Sequence, residues 1–339
     1  MVYNFFMELN ASILDFLKGK KVAVAVSGGV DSMTLLRLFN SRGDIDFFAV
    51  NIEHGIRGEK SLFDSRFVKD YCNLNGIPLL AFSVDSVLRK KQERLTLEEA
   101  ARLERRKIFL ELLNSGKCDL VALAHHKNDQ AETVLLRIIR GTGINGLKGM
   151  EKLSNGIVRP LLDFSREEIE EYAIKNNVPF VTDETNLISD YSRNFLRNEA
   201  IPLISSRFPY FTDSLIRLSK NAAEDEAFIA AFMREIIKSG DTAIIKEPLP
   251  HPAVLKREAA AAFRALGVYQ DIEERHFDLI VSLKDAENGT RLNMPGGIEV
   301  YKENGAIAFV KSGLNKEYLE APLPENFEGE RLGVLFSLC

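Results

Sequence analysis

The chain has few cysteines and no pattern that would build a zinc site or a disulfide framework. Its 339 residues include three widely spaced cysteines, Cys72, Cys118 and Cys339, and no C-x-x-C pair. Zinc knuckles and disulfide scaffolds both need cysteines at short, regular spacings. The composition therefore favours a reducing, cytoplasmic location.

Long apolar runs are also missing. No stretch approaches the roughly 18 apolar residues that a membrane span needs. The first twenty residues carry acidic side chains and no small-residue cleavage site, so they predict an opening helix and not a signal peptide. We therefore expect no membrane partner.

The net charge of −5 argues mildly against a nucleic-acid partner. However, the net negative charge lies entirely in the second part of the chain. Residues 1–214 contain 29 basic and 29 acidic residues, whereas residues 215–339 contain 15 basic and 20 acidic residues. Basic side chains cluster in the neutral part at 88–91, 102–107, 137–140 and 193–197. RNA binding stays open if these clusters share one face.

Strand patterns alternate with helix patterns through the first part of the chain. The continuous apolar run KVAVAVS at 21–27 is typical of a strand buried on both faces of a parallel sheet. Similar runs recur at 46–54, 77–85 and 118–125, with helical patterns between them. This alternation predicts a doubly wound, mostly parallel α/β sheet. Ligands of such sheets bind beyond the carboxyl ends of the strands.

From Leu215 onward the pattern changes to amphipathic helices, and residues 290–311 have the spacing of a β-hairpin. We therefore predict a catalytic domain at 1–214, a smaller, mainly helical domain with a terminal hairpin at 215–313, and a tail or stub of a further domain at 314–339. The apolar faces of the second domain leave a homodimer open.

The motif S-G-G-V-D-S lies between the first buried strand and a helix. Its glycines let the backbone approach a phosphate, and the helix N-terminus supplies unpaired N–H groups. Asp31 beside a polyanion is unfavourable unless a cation lies between them, which predicts Mg²⁺ bound by Asp31. The lysine of a Walker A loop is absent, which excludes the usual kinase and GTPase loop; a plain strand-to-helix turn is the alternative. The predicted phosphate-binding residues are Ser27, Gly28, Gly29, Val30, Asp31 and Ser32.

This motif resembles the PP-loop of ATP pyrophosphatases, which cleave ATP between its α and β phosphates and adenylate a carbonyl-type oxygen. Three further stretches resemble the tRNA(Ile)-lysidine synthetase family: N-I-E-H-G-I-R-G at 51–58, L-A-H-H-K-N-D-Q-A-E-T with the glycine-rich continuation at 123–150, and D-E-T-N with R-N-F-L-R at 183–197. The helical segment and the L-N-M-P-G-G hairpin also look like that family's substrate-binding domain. The resemblance covers nearly the whole chain to about residue 311.

The resemblance implies a ligase that uses ATP and Mg²⁺. ATP adenylates O2 of the wobble cytidine (position 34) of the isoleucine tRNA with a CAU anticodon, and pyrophosphate leaves. The ε-amine of free L-lysine then attacks C2 and expels AMP.

Asp129 and Glu132 are three residues apart and share one face of a predicted helix start. Two carboxylates there would hold an ammonium group of lysine. Carboxylates raise the pKa of a neighbouring amine, whereas attack needs a neutral amine. We therefore expect them to hold the α-ammonium, or one of them to accept the proton of the attacking amine. Acidic residues that only complement the helix dipole are the alternative.

Other residues of the matching stretches are predicted contacts. Arg102 and Arg105 match the family's A-R-x-x-R element, for which a solvated basic helix face is the alternative. A transition-metal site at His125 and His126 is disfavoured, because adjacent residues leaving a strand point to opposite faces. The remaining predictions are ATP or phosphate contacts by Asn51, His54, Arg102, His125, Arg140 and Gly141, a catalytic role for Arg105, and tRNA contacts by Arg193, Asn194 and Arg197.

Two rival functions follow from the same loop. A tRNA thiolase needs a reactive cysteine pair or an iron–sulfur cluster, but Cys72 and Cys118 fall at positions typical of structural cysteines. A nucleotide-binding regulator without turnover has no need for Asp31 together with Asp129 and Glu132.

Overall fold

The computed structural model describes residues 8–55, 59–93, 95–181, 191–311, 328–331 and 334–337. The chain forms two compact units, Met1–Ala223 and Glu224–Cys339. The division lies later than the change of sequence pattern at Leu215, because the amphipathic helix that starts the new pattern begins at Phe211 and runs through the division. No helix of the described ranges is long and apolar enough to span a bilayer.

A six-stranded sheet forms the centre of the first unit. Its strands are β1 Lys21–Ala25, β2 Asp46–Glu53, β3 Leu79–Ser83, β4 Leu120–Ala122, β5 Leu153–Ser154 and β6 Ile157–Val158. The strand order is β3-β2-β1-β4-β6-β5, and every neighbouring pair is parallel except β5 with β6. The prediction of a doubly wound, mostly parallel sheet is confirmed.

Helices cover both faces of this sheet. They are α1 Ala11–Leu17, α2 Val30–Asn40, α3 Glu59–Leu74, α4 Ser86–Glu93, α5 Leu97–Asn114, α6 Lys127–Ile139, α7 Ile144–Leu147, α8 Arg166–Lys175, α9 Tyr191–Phe195, a π-helical turn Leu196–Ala200, α10 Ile201–Arg207 and α11 Phe211–Ala230. Alternate residues of β1 serve the two faces: Val22 and Val24 pack in the layer that contains Phe39, and Ala23 packs in the layer that contains Phe109. Burial of both faces explains why β1 is apolar from Val22 to Ala25.

The order of strands places the functional loops. The chain leaves β1 toward β2 and β3 on one side, and later returns to pair β4 with the other side of β1. Such a reversal opens a crevice at the carboxyl ends of the two central strands. The loops after β1 and β4 therefore meet there, and these loops carry the S-G-G-V-D-S and H-H-K-N-D-Q-A-E-T motifs.

The second unit contains more strand than the sequence predicted. Its strands β7 Ile236–Ser239, β8 Thr242–Ile245, β9 Arg291–Met294, β10 Ile298–Glu303 and β11 Ala306–Lys311 form an antiparallel sheet of order β7-β8-β11-β10-β9, with helices α12 Pro252–Ala265 and α13 Glu274–Leu283. The expectation of a mainly helical domain is corrected here. The predicted helices and the β10–β11 hairpin are present, but the helix expected to continue to Ile237 ends at Ala230, and β7 and β8 are too short to show a period. Beyond residue 313, β12 Glu328–Arg331 and β13 Val334–Ser337 pair antiparallel.

Candidate active site

Hydrogen bonds of Ser32 stabilise the turn that follows β1. Gly28 has φ +96°, a left-handed conformation that favours glycine, and Gly29 is the N-cap of α2. Ser32 Oγ accepts a hydrogen bond from Ser27 N at 3.1 Å and donates to the Gly29 carbonyl at 3.0 Å. The hydroxyl of Ser32 thus shapes the loop, and the first amides of α2, including that of Val30, have no partner within the helix and suit an anion.

Asp31 lies in the first turn of α2 with one carboxylate oxygen unsatisfied. Oδ1 is buried and has no hydrogen-bond partner among the described residues, while Oδ2 is 3.7 Å from Arg166 Nη1 and 3.9 Å from His126 Nε2. Burial raises the pKa of Asp31, and the charges of His126 and Arg166 partly oppose that rise. A buried, unpaired carboxylate oxygen beside an anion-binding turn fits a divalent cation. Since the described side chains contain no group of three or more His, Cys, Asp or Glu able to hold a metal, phosphate and water would supply the other ligands.

Helix α6 presents two carboxylates that are joined by an arginine. Glu132 is only 3% exposed, and its two oxygens accept hydrogen bonds from Arg197 Nε at 2.6 Å and Nη2 at 2.9 Å. Nη2 also donates to Asp129 Oδ1 at 2.9 Å. Burial lowers the pKa of Arg197, but the hydrogen bond to Glu132 and the charges of both acids outweigh this, so its pKa is raised overall. Arg197, predicted to contact tRNA, therefore binds both acids and supplies the counter-charge that the buried Glu132 requires.

The adjacent residues His125 and His126 differ in burial, since His126 is buried and His125 is half-buried. His126 is 3% exposed and caps α6; its Nε2 is 3.4 Å from Asp129 Oδ2, which places it between Asp129 and Asp31. Burial lowers the pKa of His125 to about 4 against the opposing charge of Asp129, while Arg159, Arg105 and Arg193 lower it further. Strand alternation predicted that one histidine, His125, contacts the nucleotide and that the other is packed. Since β4 ends at Ala122, that alternation does not extend to either histidine, and the contact of His125 with the nucleotide stays a prediction.

Arg166 is a site residue that sequence analysis missed. It is the first residue of α8, its Nε donates to Glu170 at 2.8 Å, and its backbone amide donates to Asn128 Oδ1 at 3.1 Å, which joins the starts of α8 and α6. A capping box formed by Ser165 and Glu168 begins this helix. A basic residue at a helix start that follows a strand of a parallel sheet was the signal that could have identified it.

Asn51 has a structural role at the ends of β1 and β2. Its Nδ2 donates to the Val26 carbonyl at 2.8 Å, and its Oδ1 accepts from Ser65 Oγ at 2.6 Å. The residue is 4% exposed, and both ends of its amide are engaged in these hydrogen bonds. The contact of Asn51 with ATP stays a prediction.

The basic residues of α5 lie on an exposed surface of the helix. Arg102 and Arg105 are both exposed. Burial lowers the pKa of His54 and of His125 to about 4, and the charge of Arg105 lowers both further. Of the two arginines, Arg105 is therefore the one whose charge acts on these histidines.

The glycine-rich loop after α6 is held by two residues that the sequence analysis did not select. Gln130 Oε1 accepts from Met150 N at 2.7 Å, and Arg137 Nη1 donates to the Gly146 and Gly149 carbonyls at 2.7 and 3.0 Å. The predicted residues Arg140 and Gly141 are exposed at the helix end. These contacts fix the loop on α6 next to the carboxylates.

Arg193 and Asn194, predicted to contact tRNA, are half-buried on α9. Arg193 lies close enough for its charge to lower the pKa of His125. The D-E-T-N part of this motif and residues 56–58 of the second motif lie outside the described residues.

Comparison with known proteins decides the family. A sequence profile of the PP-loop domain matches residues 3–204. A curated tRNA(Ile)-lysidine synthase of Clostridium perfringens is 36% identical over 319 residues, which cover 88% of this chain and 68% of that protein. The corresponding synthase of Thermotoga maritima is 36% identical over 309 residues, covering 89% of this chain and 72% of that protein. The chain belongs to the tRNA(Ile)-lysidine synthase family.

A solved structure outside the lysidine synthase family shares the fold. The U34-tRNA thiolase NcsA of Methanococcus maripaludis, with its [4Fe–4S] cluster, matches with a TM-score of 0.53 and 22% identity, over 64% of this chain and 76% of that chain. Here burial raises the pKa of both Cys72 and Cys118, that of Cys72 to about 11. These buried thiols are not the reactive cysteines of a thiolase, which agrees with membership of the lysidine synthase family.

Proposed function

We propose that the chain ligates free L-lysine to C2 of the wobble cytidine of the CAU-anticodon isoleucine tRNA. ATP first adenylates O2 of the cytidine and releases pyrophosphate; the lysine amine then displaces AMP. The observation that supports this most strongly is the family match along 88% of the chain. The active-site geometry supplies a reason for each half of the reaction.

The turn at 27–32 is the proposed site for the triphosphate. Its backbone amides would bind phosphate oxygens at the start of α2, and Asp31 would hold Mg²⁺ through its unsatisfied oxygen. A bound Mg²⁺ supplies charge neutralisation for the pyrophosphate leaving group. Of the other predicted contacts, Arg105 adds positive charge near His54 and His125, where a nucleotide phosphate or an RNA phosphate would be stabilised.

Asp129 and Glu132 are the proposed site for the α-ammonium of lysine. Arg197 already binds both oxygens of Glu132 and only one of Asp129. Asp129 Oδ2 also accepts a hydrogen bond from the His126 amide at 3.0 Å, so each acid accepts two hydrogen bonds and keeps about two of its four lone-pair sites. The Asp129 side chain is 20% exposed and that of Glu132 only 4%, so an incoming ammonium group would reach Asp129 more easily. The α-ammonium stays charged there, while the ε-amine extends away from the acids and loses its proton more readily.

Incorporation of labelled lysine tests the proposal directly. An unmodified tRNA with the CAU anticodon is incubated with ATP, Mg²⁺, the full chain and radiolabelled lysine. We expect label in the RNA, no label without ATP, and none when the wobble cytidine is replaced by uridine. Pyrophosphate release without label in the RNA contradicts a ligase, and the absence of both reactions supports a nucleotide-binding regulator.

Asp31→Asn tests the magnesium role within the same assay. We expect incorporation to fall by about 100-fold or more, because the ligand of the charge-neutralising ion is lost, with an unchanged far-UV circular dichroism spectrum. The matched control is Asp44→Asn, since Asp44 is an exposed acid paired with Arg42. Near-normal incorporation by Asp31→Asn overturns the proposed Mg²⁺ ligand.

A further inference from the structure

A small cavity lies beside the two carboxylates of α6. Its volume is about 70 Å³, and its charged lining side chains are Glu132, Arg166 and Arg197. That space equals two or three water molecules at about 30 Å³ each, which is the scale of a charged head group. Both signs of charge line it, as recognition of a zwitterion requires.

The two arginines of this cavity differ in what they already bind. Arg197 is engaged by Glu132 and Asp129 through three hydrogen bonds. Arg166 donates from Nε to Glu170, but its Nη1 is 3.7 Å from Asp31 Oδ2, beyond hydrogen-bond range. Within the described residues, the terminal nitrogens of Arg166 therefore keep donors for a carboxylate.

A second observation points to a ligand in the same cavity. His126 lines it, is 3% exposed, and has no hydrogen-bond partner for Nδ1 among the described residues. Buried polar atoms are normally satisfied, so an unpaired nitrogen beside a cavity indicates a bound polar group. Ala131 and Ile201 add apolar lining, which suits the carbon atoms next to a charged head group.

We propose that Arg166 binds the α-carboxylate of the amino-acid substrate in this cavity. The inference rests on the proposed function, because it takes free lysine as that substrate. The carboxylate would accept two parallel hydrogen bonds from the guanidinium, and the α-ammonium would face Asp129. Arg166 then selects an amino acid over a simple diamine, since only the amino acid fills both halves of the site.

The test compares lysine with 1,5-diaminopentane, which has the same amine chain without the carboxylate. Label incorporation gives KM for lysine, and inhibition of that incorporation gives the affinity for the diamine. In the unaltered chain we expect lysine to be favoured by about 10- to 100-fold, the range for a charge-assisted hydrogen-bonded pair. Arg166→Ala should raise KM for lysine by a similar factor, while leaving the diamine affinity within about threefold.

Two further variants and one binding measurement complete the design. Arg166→Lys keeps the positive charge but not the paired hydrogen-bond geometry, so its KM for lysine should lie between those of the unaltered chain and of Arg166→Ala. Arg42→Ala removes an arginine from an exposed ion pair and should leave both constants unchanged. Calorimetric titration of lysine, and separately of the diamine, into each variant measures binding without turnover. A fold defect would abolish the binding of both compounds, whereas loss of the Arg166 contact would weaken only the binding of lysine.

The outcomes separate the two proposals. No label with the unaltered chain rejects the proposed function. Label with the unaltered chain, together with equal losses for lysine and the diamine in Arg166→Ala, overturns the role of Arg166. A raised KM for ATP with an unchanged lysine-to-diamine ratio also overturns it and assigns Arg166 to a phosphate.

Discussion

Replacing Arg197 by methionine removes the only described cation hydrogen-bonded to Glu132 while keeping much of the side-chain volume. Glu132 is 3% exposed, and both its oxygens lie within 2.9 Å of the Arg197 guanidinium. Breaking a buried ion pair from one side typically costs about 3–5 kcal/mol. Because the Arg197 side chain is 35% exposed, water reaches the pair, and we expect a loss of about 2–3 kcal/mol in the free energy of unfolding.

Urea unfolding followed by far-UV circular dichroism measures this, since the sequence has no tryptophan for a fluorescence probe. Adding Glu132→Gln to Arg197→Met should restore about 1 kcal/mol or more, because a neutral amide replaces the unpaired charge. Arg42→Met, from an exposed ion pair, should cost less than about 1 kcal/mol. A deficit below about 0.5 kcal/mol would refute this account of the buried acid.

Two other predictions concern the loop and the histidines. Gly149→Ala should lower the free energy of unfolding by about 2–4 kcal/mol, because φ is +65° and the new Cβ would lie 2.6 Å from Gln130 Nε2. The control Gly141→Ala, with φ +72° and open space around the new Cβ, should cost only the backbone strain of about 1 kcal/mol. Equal losses of the two variants in urea unfolding would contradict this. Burial lowers the pKa of His54 and His125 to about 4 from 6.5, so the unfolded chain takes up protons first as the pH falls. The contribution of these rings to the free energy of unfolding should be full above pH 6.5 and decline toward pH 4. His54→Gln or His125→Gln should each reduce that decline by roughly 1–3 kcal/mol. An unchanged dependence of the free energy of unfolding on pH in both variants would show that these rings titrate normally.

Local patterns were sufficient to predict the sheet and the turn at 27–32. Burial on both faces leaves a continuous apolar run at 22–25, and a glycine turn before a helix is visible in six consecutive residues. Both are short-range constraints, since strand alternation and helix start chemistry act within a few residues. The same holds for the placement of Asp129 and Glu132 on one helix face.

Contacts between distant parts of the chain were decided only by the tertiary structure. Arg197 meets Glu132 across 65 positions of the sequence, and neither motif contains a signal for the other. Arg166 and His126 became site residues because the starts of α8, α6 and α2 converge at the crevice between β1 and β4. The hydrogen bond from Asn51 to the Val26 carbonyl likewise joins residues 25 positions apart.

The spacing of nearby residues by itself predicted the sheet of the first unit and the turn at 27–32, and the resemblance of longer motifs predicted the type of chemistry. The partners of the buried charges depended on the path of the whole chain. A carboxylate such as Glu132 specifies that a counter-charge must be present, but only the folded structure selects Arg197 for that place.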